Sequence, residues 1–210
     1  MFRTILPAAL AAFIAMAPTA HAEITVVINF DVDTHNVPLE SPAVINDVYA
    51  EWGVTFTSTP NSICGNNGEV YATSACLSGD APTSPPNIVS HCAGCTDISE
   101  FGHGLVMARF NPPADSVCIT AIPAGEPGTH EDRCVLRAYD AEHNLLMEAV
   151  SNPANTSEVL CVAAPEIYSV EFSGYQDYHA WFDDMQVSFA PVAVVPVTWG
   201  GVKARVGGGQ

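Results

Sequence analysis

"HAWFDDMQVSF", His179 to Phe189, decides the fold. From Asp183 onward the residues alternate, with Asp183, Met185, Val187 and Phe189 on one face and Asp184, Gln186 and Ser188 on the other. That is the period of a β-strand with one buried side. A carboxylate therefore leads the apolar face. Burying an unpartnered carboxylate costs on the order of several kcal/mol, so Asp183 needs a partner. The choices are a guanidinium, the backbone N–H groups of a neighbouring loop, or a bound hard cation. Asp184, on the opposite face, is expected in solvent.

The same alternation recurs along the chain. Ile24, Val26, Ile28 and Phe30 mark a first strand, and short apolar runs follow at Val54–Ser58, Leu105–Phe110, Val117–Pro123, Cys134–Tyr139, Leu145–Val150, Val159–Val162 and Tyr168–Ser173. Turn-forming clusters separate them, among them "NPPAD", "AGEPG", "SNPAN" and "SGYQD". Only Ile45–Trp52 has helical spacing, through Ile45, Val48, Tyr49 and Trp52. Many short strands with one short helix predict an all-β fold, a β-sandwich. Trp52, at the end of the helical face, is expected in the core. Between Thr59 and Gly104 the chain turns to Gly, Asn, Ser, Pro and Cys, which predicts a long loop excursion held by disulfides.

The opening segment, MFRTILPAALAAFIAMAPTAHA, joins Arg3 to an apolar stretch and ends at Ala20-His21-Ala22, a small-x-small cleavage site. It reads as a secretory signal peptide over 1–22. The sandwich domain is then 23–189, and 190–210 a Pro-containing linker with a mobile tail. "VAVVPVTW" is too short to span a bilayer, so no membrane insertion is expected.

The chain has 23 acidic and six basic residues, a formal charge of −17. Arg3 lies in the leader and Lys203 and Arg205 in the tail, which leaves Arg109, Arg133 and Arg137 in the body. Such a surface repels nucleic acid and anionic lipid, and it attracts cations.

Seven cysteines in a secreted chain imply disulfides with one thiol left over. Cys64 and Cys76 bracket a flexible Gly/Asn loop and are the expected pair. Cys92 and Cys95 suit a small disulfide loop; with His91 they would also suit zinc. "CAGCT" lacks the His of a haem-attachment site. The pairing of Cys118, Cys134 and Cys161 stays open.

Three stretches, "NFDVDTHNVPLESPAVINDVYAEWGVTF" (29–56), "CVLRAYDAEHNLLMEAV" (134–150) and "IYSVEFSGYQDYHAWFDDMQVSF" (167–189), resemble bacterial secreted jelly-roll modules related to galactose-binding-like domains. The shared features are an Asp after the first strand, a Y-x-x-x-G-V-x-F run, a Y-D hairpin and a closing strand with paired acidic residues. The hairpin glycine of that pattern is replaced by Glu142-His143, which predicts a looser turn, and the sorting tail common in that group is absent. The resemblance implies a jelly roll whose closing strand returns beside the first. Asp183 would then lie near Asp31 and Asp33 and could share a structural calcium with them. The alternative is that Asp183 ties down the N-terminal loop through backbone N–H groups. Glu51 is a weaker candidate ligand. The 31–42 segment is not an EF-hand loop, because Asn36 and Pro42 stand where that loop needs Gly and Glu.

No catalytic signature is present: there is no G-x-S-x-G, and "HEDRC" stops short of H-E-x-x-H. His91, His103, His130, His143 and His179 are dispersed and read as loop or surface residues. Tyr175, Tyr178 and Trp181, interleaved with Gln176, Asp177 and His179, suit an aromatic platform for sugar rings; the reading favoured over it is that Trp181 and one tyrosine cap the end of the sandwich core. The expected function is a secreted, non-catalytic module that binds carbohydrate or another ligand at the cell exterior. The alternatives are a matrix or surface structural protein and a glycan-active hydrolase using an unrecognised carboxylate pair.

Overall fold

Among the described residues the strand periodicity is realised in ten antiparallel strands: β1 Ile24–Ile28, β2 Ala43–Val44, β3 Val54–Ser58, β4 Tyr71–Thr73, β5 Ile88–Ser90, β6 Val106–Pro123, β7 Cys134–Tyr139, β8 Leu145–Val150, β9 Glu158–Gly174 and β10 Ala180–Phe189. They come from a computed structural model that describes residues 24–60, 66–74, 84, 86–93, 104–123, 133–152, 156–174 and 180–190. The expected leader and tail lie outside those residues, and Glu23–Pro191 forms a unit of its own. Among the described residues no helix is long and apolar enough to cross a membrane.

Two pairs of predicted strands are each one continuous strand. "NPPAD", read as a turn, is a bend inside β6, and Ala163–Glu166 bends β9 beside it. The ladder between them jumps from Arg109↔Ser169 to Ala114↔Ile167 and then to Ser116↔Ala163. Prolines cause the jump, since Pro112, Pro113 and Pro165 have no N–H to give and concentrate where pairing is interrupted. Glu166 takes a left-handed conformation at the same corner (φ 57°).

Those two corners fold one ten-stranded sheet into a sandwich. One layer is β3, the first half of β6, the second half of β9, β7 and β8. In the other, β10 pairs with the second half of β6, with β1 and with β5, and β4 and β2 continue beyond β5. The core fills the space between them with Ile28, Phe30, Tyr49, Phe56, Ile119, Phe172, Phe182 and Met185. Phe172 of β9 meets Phe182 of β10 edge to face at 4.9 Å. Phe30, in a left-handed conformation (φ 59°), ends the first strand run and packs against Tyr49 and Phe56.

The predicted helix is replaced by turns and a single 3-10 turn at Ala50–Trp52. Gly53 stops it: its φ is +80°, and a Cβ there would overlap the Asn111 carbonyl, so the G of the Y-x-x-x-G-V-x-F run is sterically required. The Tyr49 hydroxyl donates to the Val32 carbonyl at 2.9 Å and ties this turn to the segment after β1. Trp52 is half-buried against the core. The predicted strandless excursion contains β4 and β5, two short strands that extend the sheet.

Cys118 and Cys161 sit directly across from each other on β6 and β9 and are bonded, and among the described residues Cys134 is a free, buried thiol. Burial pushes the Cys134 thiol up to about 12. Cys92 is disulfide-bonded, so it is no zinc ligand. Its partner, and the expected Cys64, Cys76 and Cys95, lie outside the described residues.

Candidate functional site

Asp183 is fully buried, as its strand position requires, but it is not on the face predicted. Asp183 lies across from Thr120, and Met185 lies across from Ile119, the neighbouring residue of β6. Directly opposed residues share a face, so Asp183 and Met185 stand on opposite faces. The cause is a bulge at Asp184, which takes a left-handed conformation (φ 44°) and shifts the register by one residue. Phe182, Met185 and Val187 therefore enter the core without the carboxylate.

The bulge gathers oxygens around Ser84. The Ser84 N–H donates to Asp183 Oδ2 at 2.8 Å, and its hydroxyl lies 3.1 Å from Asp183 Oδ1, 2.8 Å from Asp184 Oδ1 and 3.2 Å from the Asn29 carbonyl. Asp183 Oδ1 also accepts from the Asp184 N–H at 2.8 Å. Asp184 is thus half-buried in the cluster, contrary to the solvated position expected of it. Asp31 joins from the segment after β1, accepting from the Asn87 N–H at 2.8 Å. Burial and the nearby Asp184 charge hold its carboxyl above the ordinary range, against the Asn87 and Ser84 hydrogen bonds.

Asp33 is elsewhere. Its Oδ1 accepts from the N–H groups of His35 (2.8 Å) and Val37 (2.9 Å), which holds its carboxyl below the ordinary range. Glu51 faces Thr34 and His35 at the surface. The proposed trio of Asp31, Asp33 and Asp183 is therefore not assembled. Among the described residues no three His, Cys, Asp or Glu side chains are grouped to hold a metal by themselves. Ser84, Asn87 and Asp184 were missed because Ser84 and Asn87 sit in the Pro/Ser-rich stretch, where no strand period marks a position.

Of the predicted aromatic platform, Trp181 is buried across from Ile122 and is not part of the main core cluster. Tyr175, Tyr178 and His179 lie outside the described residues.

An open groove of about 790 Å³ lies instead over the outer face of β3, β6 and β9, between the 50–53 turn and the β7–β8 hairpin. Thr55, Arg109, Ser169 and Tyr139 form one cross-strand row under it. Asp140, His143 and the exposed Tyr168 complete its walls. A smaller hollow of about 300 Å³, with Asn46, Asp47 and Thr57, continues it across β3 and shares Thr55 and Arg109.

The hairpin wall is rigid for local reasons. Asp140 Oδ1 accepts from the N–H groups of Glu142 and Asn144 and its Oδ2 from the Asn144 amide, which holds the carboxyl below the ordinary range. His143 takes the left-handed position (φ 63°) that a glycine would fill, stacks on Tyr139 at 4.3 Å and approaches Glu171 at 3.6 Å. The Tyr139 hydroxyl donates to Glu171 at 2.8 Å. Residues 33–37 repeat this turn, with Asn36 left-handed (φ 61°) and Asp33 Oδ1 taking the same two N–H groups. The sequence signal is an Asp four residues before the end of the turn, with Asn or His at the left-handed position. Arg109 and Tyr168 had a weaker signal, an outward strand position and a strand corner.

No protein-family model matches the chain, and no curated protein matches it. Among solved structures, the family 32 carbohydrate-binding module of C. perfringens NanJ, in complex with galactose, is similar at 13% identity and a TM-score of 0.34, covering 69% of this chain and 97% of that one. A likeness at that level fixes neither the fold nor the function of this chain.

Proposed function

We propose that the protein is a secreted, non-catalytic module that binds carbohydrate in the groove over β3, β6 and β9. The observation that carries this reading is the groove itself, an open concavity in which the exposed Tyr168 stands beside hydroxyl and guanidinium groups fixed on strands and a carboxylate fixed in a hairpin turn. Sugars need that mixture: an aromatic face for the C–H surface and converging polar groups for the hydroxyls. Asp140, the carboxylate lining the main groove, is spent on bracing its own turn and held ionised, which suits it to accept from a hydroxyl and not to act as a general acid. The Cys118–Cys161 bond suits an oxidising compartment.

Calcium belongs in the reading as a structural ion at the Ser84 cluster. The Ser84 hydroxyl has one hydrogen for the Asn29 carbonyl and the carboxylates of Asp183 and Asp184. Asn87, whose N–H donates to Asp31, has a buried Oδ1 with no hydrogen-bond donor among the described residues. Two carboxylates and a carbonyl converge on the one Ser84 hydroxyl, an all-oxygen setting of the kind a hard cation takes. Asp183, Asp184 and the Asn29 carbonyl are the residues that would hold it, with Asp31 adding negative charge beside them. A bound calcium would supply charge neutralisation and pin the segments at Asn29, Ser84 and Asp183 together.

A second reading rests on β8, the last strand of its layer, where Leu145, Leu146, Met147 and Val150 are all exposed. An apolar edge of that kind favours strand-to-strand assembly, as a matrix protein would use.

A glycan array with wild type and Tyr168→Ala tests the proposal. Binding by the wild type that falls at least tenfold in the variant supports it. A folded wild type that binds nothing on the array while assembling into oligomers favours the second reading.

A further inference from the structure

Arginine is scarce in this chain, and the way each one is used carries information. There are 23 acidic residues against six basic, so an arginine at a strand surface has no shortage of potential partners. Arg137 has taken one, Glu148, at 2.7 Å. Arg109 has taken none: it is exposed, and among the described residues its side chain has neither an ion pair nor a hydrogen bond. With Thr55, it is common to both hollows of the groove.

The placement of Arg109 makes that availability useful. It lies on an interior strand, paired on one side with Thr55 of β3 and on the other with Ser169 of β9, so its backbone is fixed by two ladders. The floor of the groove is thus hydroxyl, guanidinium, hydroxyl. A guanidinium offers a planar fork of donors that matches a carboxylate through two parallel hydrogen bonds. The remaining charged groups bordering the groove are Asp47 and Asp140, which would repel a densely anionic ligand and accept from hydroxyls. One cation flanked by acceptors therefore selects a ligand whose charge is single and set among hydroxyls.

We infer that the groove takes a saccharide bearing a carboxylate, a uronate or sialate unit, with the carboxylate held by Arg109 and the adjoining ring against Tyr168. The inference rests on the carbohydrate-binding reading and adds the ligand class to it. Sulfated or phosphorylated polymers are disfavoured, because the acidic surface around a single guanidinium opposes closely spaced charge.

The test uses a panel of uronate- and sialate-terminated oligosaccharides and the same panel after reduction of the carboxyl to an alcohol. Binding of both panels is measured by calorimetry for wild type, Arg109→Gln and Arg109→Lys. Wild type is expected to lose at least tenfold in affinity when its ligand is reduced. Arg109→Gln should bind acid and reduced forms alike, at the wild type's affinity for the reduced form, and Arg109→Lys should fall between. Arg109 is exposed and unpartnered among the described residues, so the variants should melt with the wild type. If wild type binds acid and reduced ligands equally, carbohydrate binding stands and the role of Arg109 is overturned. If it binds neither panel nor any neutral glycan, both are overturned. The wild-type comparison decides the matter even if a variant misfolds.

Discussion

Asp183 and Met185, two residues apart on β10, stand on opposite faces of their sheet, because Asp184 bulges out of the ladder between them. The core gains Met185 without accommodating a charge, and Asp183 gains the Ser84 N–H and hydroxyl and the Asp184 N–H. Asp183→Ala should cost about 2–4 kcal/mol, since it leaves buried donors unmatched, and Asp183→Asn less, since one acceptor oxygen remains. Urea melts of both variants measure this.

If calcium occupies the Ser84 cluster, chelation should lower the Tm and added calcium restore it, by preferential binding to the folded state. Asp31→Asn, Asp183→Asn and Asp184→Asn should each weaken that response, and Asp33→Asn should leave it, because Asp33 is committed to its own turn. A fully stripped wild type that melts unchanged would remove the ion from the scheme.

The alternation in "DDMQVSF" made a strand legible but not the bulge, since a one-residue insertion leaves both faces plausible until the partner strand is known. For the same reason Asp184 was expected in solvent. The corners of β6 and β9 were legible as proline interruptions and misread as turns, because a proline marks the loss of a ladder bond in either case. The sandwich survived that error, whereas the groove was invisible. It is made by Thr55, Arg109 and Ser169, residues far apart in sequence that only register brings into one row.

His91 gives a pH dependence. It is buried, with its ring against Gly104, and burial holds its pKa down at about 4, against about 6.5 for a free imidazole. The folded state therefore favours the neutral ring. That contribution is fully present above pH 6.5 and is lost as pH falls toward 4, about 3 kcal/mol in all. Asp31 acts in the opposite sense: its raised folded pKa gives a contribution present below the ordinary Asp range and lost as pH rises through the folded value. Melting His91→Gln and wild type from pH 7 to 4 isolates the first effect, which should be smaller in the variant.

The Cys118–Cys161 bond closes a loop with a sequence separation of 43, and the Cys118→Ser, Cys161→Ser double variant should lose about 2–4 kcal/mol. Cys134 should resist alkylation in the native protein and react once unfolded, because its thiol is buried and held protonated. Differential labelling followed by peptide mapping reads both states.

Gly53→Ala should cost about 2 kcal/mol or more, from the left-handed backbone together with the overlap on the Asn111 carbonyl. Thermal unfolding measures the loss. Because Gly53 also borders the groove, the variant should bind glycan more weakly as well.

A heteronuclear NMR titration with the oligosaccharide bound best on the array locates the binding surface directly. The groove reading predicts that the amide shifts that move belong to Thr55, Arg109, Asn111, Tyr168 and Ser169, and that Arg109→Gln attenuates them. Shifts confined to the end of the sandwich at Trp181, with the β3–β6–β9 face unmoved, would contradict it.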